Sequence, residues 1–186
     1  PPGYVGYEAG GQLRKIELPR GELKYYNEYG GFSQDGKEYH IRINKESRLP
    51  TVWSHIMGNE KFGTVTTENM GGYTWYKNSR LNRITAWNNN PVTDVPSEVI
   101  YLKDMESGKT WSLGLNPMPD DKDYDIIYGF GYAKYNHSSN GINQRLDMFV
   151  PQESSSKIQI LNLENTETKK KKVKLIYYVK LVLDED

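Results

Sequence analysis

Ile126-Ile-Tyr-Gly-Phe-Gly-Tyr-Ala-Lys-Tyr-Asn-His-Ser-Ser-Asn-Gly-Ile-Asn-Gln-Arg-Leu-Asp-Met-Phe-Val150 decides the fold. Ile126 to Tyr135 and Gly141 to Val150 both read as strands. Ser139-Asn140-Gly141 lies between them and places glycine after asparagine, where left-handed backbone angles come most easily. The stretch is therefore expected to form a β-hairpin. Gly129-Phe130-Gly131 falls inside the first strand pattern, without the helix start that a phosphate-binding fingerprint requires.

Outward from this hairpin the same grammar repeats. Further strands are expected at Lys37 to Ile43, Phe62 to Glu68, Tyr73 to Lys77, Glu98 to Lys103, Lys157 to Leu163 and Val173 to Leu183. In Lys157-Ile-Gln-Ile-Leu-Asn-Leu163 apolar residues recur at nearly every second position, the period of a strand with one buried face. Ser33-Gln34-Asp35-Gly36 and Ser107-Gly108 supply turns, and 17 glycines and 9 prolines punctuate the chain throughout. No stretch of ten or more residues keeps a helical period with caps; Arg48 to Gly58 has room for one or two helical turns at most. The expected fold class is all-β, an antiparallel β-sandwich.

At 186 residues the chain suits one domain, since domains usually run to roughly 100–200 residues. Its 24 basic and 24 acidic side chains cancel, which argues against nucleic acid or an anionic membrane as partner. The absence of cysteine excludes disulfides, thiol nucleophiles and thiolate-bound zinc. His40, His55 and His137 have no metal-pair spacing, give little basis for a catalytic triad, and are expected on the surface or half-buried on strands. No apolar run approaches the roughly 20 residues of a membrane span, and no secretion signal opens the chain. A soluble, intracellular protein is expected, and the opening Pro1-Pro2 suggests a piece of something larger.

Two charged segments have ordinary explanations. The run from Lys169 to Lys172 with Lys174 is expected at a hairpin tip, where charge discourages edge pairing. Asp120, Asp121, Asp123 and Asp125 around Lys122 read either as a solvated loop or as calcium ligands, although the EF-hand spacing is absent. Asn88-Asn89-Asn90-Pro91 reads as a structured loop.

Aromatic residues say more about function. Fifteen tyrosines, four tryptophans and four phenylalanines combine flat apolar faces with polar edges, which suits strand packing and also suits sugar rings. They concentrate with hydrogen-bond donors between Gly71 and Pro91. Trp75, Tyr76 and Trp87 are the stacking candidates there, and Asn78, Arg80, Asn82 and Arg83 the donors to a hydroxyl-rich ligand. The alternative is a strand followed by a loop whose arginines hold neighbouring carbonyls. No residue is assigned a catalytic or metal-binding role.

These residues also carry a resemblance. Glu28-Tyr-Gly-Gly-Phe-Ser-Gln-Asp-Gly-Lys-Glu-Tyr, Pro50-Thr-Val-Trp-Ser-His-Ile-Met-Gly-Asn, Gly71-Gly-Tyr-Thr-Trp, Asn78-Ser-Arg-Leu-Asn-Arg, Trp87-Asn-Asn-Asn-Pro-Val-Thr-Asp and Tyr101-Leu-Lys-Asp follow in order, continued by Gly129-Phe-Gly-Tyr and Met148-Phe-Val-Pro. The string resembles the amino-terminal domain of family 94 glycoside phosphorylases, formerly glycosyltransferase family 36. Its Gly-Gly-Phe and Trp-Asn-Asn-Asn-Pro-Val-Thr-Asp forms look closest to 1,2-β-oligoglucan phosphorylases and to the phosphorylase-like region of cyclic β-1,2-glucan synthases. The similarity spans about Tyr26 to Leu183, leaving residues 1–25 as an amino-terminal extension or linker and 26–186 as the sandwich.

The resemblance implies a galactose-mutarotase-like super-sandwich, shortened at the carboxyl end. It further implies a cytoplasmic parent enzyme whose helical-barrel domain carries the catalytic aspartate and the phosphate site. Such enzymes split a β-glucoside with inorganic phosphate as co-substrate, inverting to α-glucose 1-phosphate, so phosphate replaces the water and base of an inverting hydrolase. Partners implied are a β-linked gluco-oligosaccharide, the barrel domain and a second copy in a homodimer, with no cofactor. The chain alone is expected to be inactive. Two rivals stand beside this reading: a free-standing carbohydrate-binding module, and a purely structural or dimerising domain.

Overall fold

The computed structural model describes residues 23–182, which hold twelve strands and no helix. In chain order these are β1 (Gly30–Phe32), β2 (Glu38–Ile43), β3 (Ser54–Gly58), β4 (Phe62–Thr67), β5 (Gly72–Tyr76), β6 (Glu98–Asp104), β7 (Thr110–Ser112), β8 (Tyr124–Gly129), β9 (Tyr132–Ser139), β10 (Ile142–Phe149), β11 (Ile158–Asn165) and β12 (Val173–Val179). A six-stranded sheet runs in the order β1-β2-β8-β9-β10-β11, and two three-stranded sheets run β12-β6-β7 and β3-β4-β5. Every pairing is antiparallel, as the sequence leads one to expect.

The decisive stretch folds twice rather than once. Asn140 and Gly141 turn between β9 and β10 with φ of 49° and 70°, matching the expected hairpin. The expected strand Ile126 to Tyr135, however, breaks at Phe130-Gly131, where Gly131 has φ of 81° and Gly129 pairs with Tyr132. An apolar Phe130 hides the turn in the sequence, yet it stands 83% exposed at the tip.

Alternation then builds the core. Ile41 and Ile43 of β2, Tyr124, Ile126 and Tyr128 of β8, Ala133 and Tyr135 of β9, and Ile142, Leu146 and Met148 of β10 point to one face. From the opposite layer Met57, Phe62, Ile100, Leu102, Trp111, Leu113 and Leu115 complete the same cluster. Burying each large apolar side chain stabilises by about 1.5–3 kcal/mol. One polar residue enters this core with its bonds satisfied: Gln144 accepts from Trp111 Nε1 at 2.9 Å and donates to the Leu113 carbonyl at 3.0 Å.

Residues 83–86 stitch the two small sheets into one layer. Trp75 bridges Arg83 and Thr85 bridges Leu181, while Ala86 N donates to the Lys180 carbonyl and Val182 N to that of Ile84. Glu98 ties the layers together. Its carboxylate accepts from Lys157, from Tyr177 Oη at 2.6 Å and from Gln159 and Thr74 at 3.4 Å. Burial pushes the Lys157 amine below its usual range, and the attraction of Glu98 opposes that shift. On the outer face of the six-stranded sheet, Glu38 accepts from Tyr132 at 2.6 Å and Lys134 at 2.9 Å, with His40 at 3.2 Å.

Several local expectations change. Arg48 to Gly58 holds the strand β3 instead of helical turns, because Ser54 to Gly58 pairs in full register with β4. β1 and β7 have three residues each, too few to show a period. The Lys169 to Lys172 run is no hairpin tip: β11 pairs with β10 and β12 with β6, so these lysines lie on a crossing between layers. There Lys171 approaches Glu167 at 3.2 Å and Asp104 at 3.7 Å, and Lys169 pairs with Glu106 at 2.8 Å. β12 ends at Val179, and Leu183 lies outside the described residues. So does most of the expected extension 1–25; Lys24 bridges Phe32.

Candidate functional site

The concentration of aromatics after Gly71 becomes a platform on the outer face of the β3-β4-β5 sheet. On β5, Thr74 points inward, where its Oγ1 meets Thr64 Oγ1 at 3.0 Å, so Tyr73 and Trp75 point outward. Trp75 is opposite Gly63 on β4 and lies flat over it; a Cβ at Gly63 would stand 2.3 Å from Trp75 Cζ2. Only glycine leaves room for the indole there. Tyr73 contacts Trp75 at 5.3 Å between centroids and stacks on Trp87 at 4.8 Å and 28°. The Arg83 guanidinium sits over both Tyr73 and Trp87, at 5.4 and 5.5 Å from their centroids, held by a bond from its Nε to the Ser79 carbonyl at 3.2 Å. Trp87 is 38% exposed, so an aromatic face and a fixed cation meet solvent together.

The residues singled out from sequence divide. Trp75, Arg83 and Trp87 come together, joined through Tyr73. Tyr76 turns the other way and packs on the core cluster, with Lys77 Nζ 5.3 Å from its ring centroid. Asn78 caps its own loop, its Oδ1 accepting from Arg80 N at 2.9 Å and Leu81 N at 2.8 Å. Asn82 is bound through its backbone to Tyr76 and Asn78, and Arg80 is exposed. Tyr73 escaped selection, although its spacing of two from Trp75 places both on one strand face. Asn88 to Pro91 is structured as expected: Asn90 Oδ1 accepts from Val92 N at 2.9 Å and Thr93 N at 3.2 Å.

The acidic loop and the histidines resolve into pairings. Asp125 takes a two-point contact from Arg42, Asp121 pairs with Lys45, and Asp123 accepts from Asn44 at 2.9 Å. Asp120 faces His137 Nε2 at 2.8 Å. Burial works to raise the Asp120 carboxyl, but hydrogen bonds from His137 and Ser139 prevail and hold it below the usual range. Contrary to expectation, His137 and His40 are buried; His137 lies under Tyr124, its ring stacked at 3.8 Å. A carbonyl oxygen only accepts, so His137 Nδ1, 2.7 Å from the Asp123 carbonyl, carries a hydrogen. His55 stacks on Tyr128 at 4.8 Å, and burial pushes it below the usual histidine range. Among the described residues, no group of three or more His, Asp or Glu is placed to hold a metal ion, and no helix is long and apolar enough to cross a membrane.

Comparison with known proteins places the chain in a family. An N,N'-diacetylchitobiose phosphorylase of Vibrio furnissii is 34% identical over 154 residues, 81% of the chain and 19% of that protein. The cyclic beta-(1,2)-glucan synthase NdvB of Rhizobium meliloti (strain 1021) is 27% identical over 169 residues, 90% of the chain and 6% of that protein. A 3-O-beta-D-glucopyranosyl-beta-D-glucuronide phosphorylase of Paenibacillus borealis is 26% identical over 148 residues, 79% and 18% respectively. The chain thus spans less than a fifth of the length of each of these relatives. Residues 37–186 match the family described as "Glycosyl hydrolase 94, supersandwich domain", and the chain belongs to that family.

Proposed function

We propose that the chain is the non-catalytic amino-terminal sandwich of a glycoside phosphorylase acting on β-glucan oligosaccharides, and that its outer aromatic platform contributes to sugar contact. In this reading the longer enzyme is cytoplasmic, and its helical barrel holds the catalytic acid and the phosphate. It releases α-glucose 1-phosphate by inverting phosphorolysis. The observation that carries the sugar contact is the stack of Tyr73 and Trp87 under one guanidinium on an outward face. Sugar C–H faces lie on such rings while hydroxyls take donors from Arg83 and the exposed Arg80. Two measurements test the reading. The chain alone should release no glucose 1-phosphate from β-1,2-glucan and phosphate; appreciable turnover would contradict it. In the full-length enzyme Trp87→Ala or Arg80→Ala should weaken oligosaccharide use far more than it lowers Tm. Equal losses in both would make those residues structural. A free-standing module would instead bind oligosaccharide measurably as the isolated chain, whereas half a site that lacks its opposing wall need not.

A second reading, contact with protein, has its own support. On β12, Leu175, Ile176, Tyr177 and Tyr178 are 40–51% exposed in succession, and Leu181 beyond it 51%. Apolar side chains exposed along an edge strand mark interaction sites. Domain assembly or a homodimer through this edge accounts for them and is compatible with a sugar-contacting platform elsewhere. Light scattering on the 186-residue chain tests the homodimer directly.

A further inference from the structure

Glu68 and Asp94 are buried at 3% and 7% exposure, and among the described residues no ion pair includes either. A buried carboxylate without a cation is costly, because desolvation disfavours its charged form. Here two lie side by side. The single amide nitrogen of Asn69 donates to Glu68 Oε1 at 2.9 Å and to Asp94 Oδ2 at 3.2 Å. Thr67 Oγ1 donates to the same Asp94 oxygen at 2.6 Å, and Trp53 N donates to Glu68 Oε2 at 2.9 Å. Glu68 thereby links the approach to β3 with the β4–β5 turn, and Asp94 links that turn with the loop that starts at Trp87.

The loop is closed tightly on this pair. The Asp94 carboxylate rests on Gly71, where a Cβ would stand 2.2 Å from Asp94 Oδ1. Asp94 itself has φ of 39°, and Met70 on the turn opposite has φ of 62°; neither is glycine, so both ends of the contact hold a disfavoured backbone. Asp94 N also donates to the Asn90 carbonyl at 2.9 Å, closing the loop on itself. Such strain persists only while surrounding contacts outweigh it, and the carboxyl pair supplies the contacts at this point.

We propose that Glu68 and Asp94 form a proton-operated latch on the loop from Trp87 to Val95, fastened while the Glu68 carboxyl is neutral and loosened when it ionises beside Asp94. This does not depend on the sugar-contact reading. Burial, then the neighbouring Asp94, pushes the Glu68 carboxyl up to about 7, against the lowering bonds from Trp53 N, its own backbone and Asn69. Loosening therefore sets in above the ordinary glutamate range and is complete near neutrality. The other titratable groups facing the pair are Tyr128 of β8 and Tyr135 of β9, both well above their usual range through burial, with His55 of β3 stacked behind Tyr128. The tyrosines stay neutral across the relevant range. His55, which loses its charge below the usual histidine range, is separated from Glu68 by its own variant.

Hydrogen–deuterium exchange of the Val92, Thr93 and Asp94 amides in the 186-residue chain, corrected for intrinsic pH dependence, tests the latch. Protection should fall about tenfold per pH unit as pH rises from the ordinary glutamate range, since a one-unit pKa difference is worth tenfold. The fall should level off near 7. Glu68→Gln should keep these amides protected throughout, Asp94→Asn should move the levelling-off point down, and His55→Gln should leave it in place. Protection that does not change with pH in the parent chain, or a loss that persists in Glu68→Gln, would overturn the proposal. Should Glu68→Gln fail to fold, carbon-13 NMR of the Glu68 carboxyl in the parent chain decides. Titration near 7 supports the latch, and titration in the ordinary glutamate range removes it.

Discussion

β10 and β12 are both strands that carry aliphatic and aromatic side chains, and they meet opposite fates. On β10, Ile142, Leu146 and Met148 are at most 4% exposed because β9 and β11 flank the strand and a second layer covers its inner face. β12 has one neighbour, β6, and four successive side chains half in solvent on both faces. Strand formation thus needs only backbone pairing and suitable side chains, whereas burial depends on what the topology brings across. The edge strand carries the hazard: seven residues of high β-propensity with one side of the backbone unpaired by any named strand invite another chain.

Five variants break or sharpen this contrast. Lys157→Met should cost as much as any, about 3 kcal/mol, because it leaves Glu98, its side chain only 12% exposed, without its cation and loosens β12 through Tyr177. Urea denaturation of the chain measures it, and a change below about 1 kcal/mol would show that Glu98 is solvated. Leu146→Ala should cost about 3 kcal/mol through the cavity it leaves, while Leu175→Ala on β12 should cost less than about 1. Equal losses would mean that β12 is covered in solution.

Glu38→Gln probes the polar outer face of the six-stranded sheet. The hydrogen bond from His40, then those from Tyr132 and Lys134, hold the Glu38 carboxyl well below the usual range despite its burial. A depressed folded pKa contributes stability above the ordinary glutamate range and loses it as pH falls through the folded value. The substitution should cost about 1–2 kcal/mol at neutral pH and almost nothing in strong acid, read as Tm against pH. The smallest effect on stability belongs to Leu175→Ser with Tyr178→Ser, within about 1 kcal/mol. That pair should nevertheless reduce concentration-dependent association in sedimentation experiments; unchanged association would clear β12 of the interface role.

Legibility followed the range of the interactions involved. β2, β4, β6 and β10 show in the sequence because alternation is local, and the Asn140-Gly141 turn shows because its backbone angles select its residues. β1 and β7 do not, since three residues carry no period. Within the aromatic segment the composition singled out Trp75, Arg83 and Trp87, which the fold brings together. The register that puts Trp75 over Gly63 then exchanges Tyr76 for Tyr73, and no composition encodes register. Glu68 and Asp94 gave no signal at all, because neither lies in a recognisable motif with the other and only the closed loop makes them adjacent.

The short ladder formed by residues 83–86 has a mechanical consequence. It is gripped on one side by β5 and on the other by residues 180–182, so the peptide bearing Arg83 is wired directly to the tail of β12. A tug on that tail draws first on the bonds of Ile84 and Ala86, and the cation above Tyr73 and Trp87 moves with them. Whatever grips β12 therefore has a lever, only a few peptide units long, on the shape of the aromatic face.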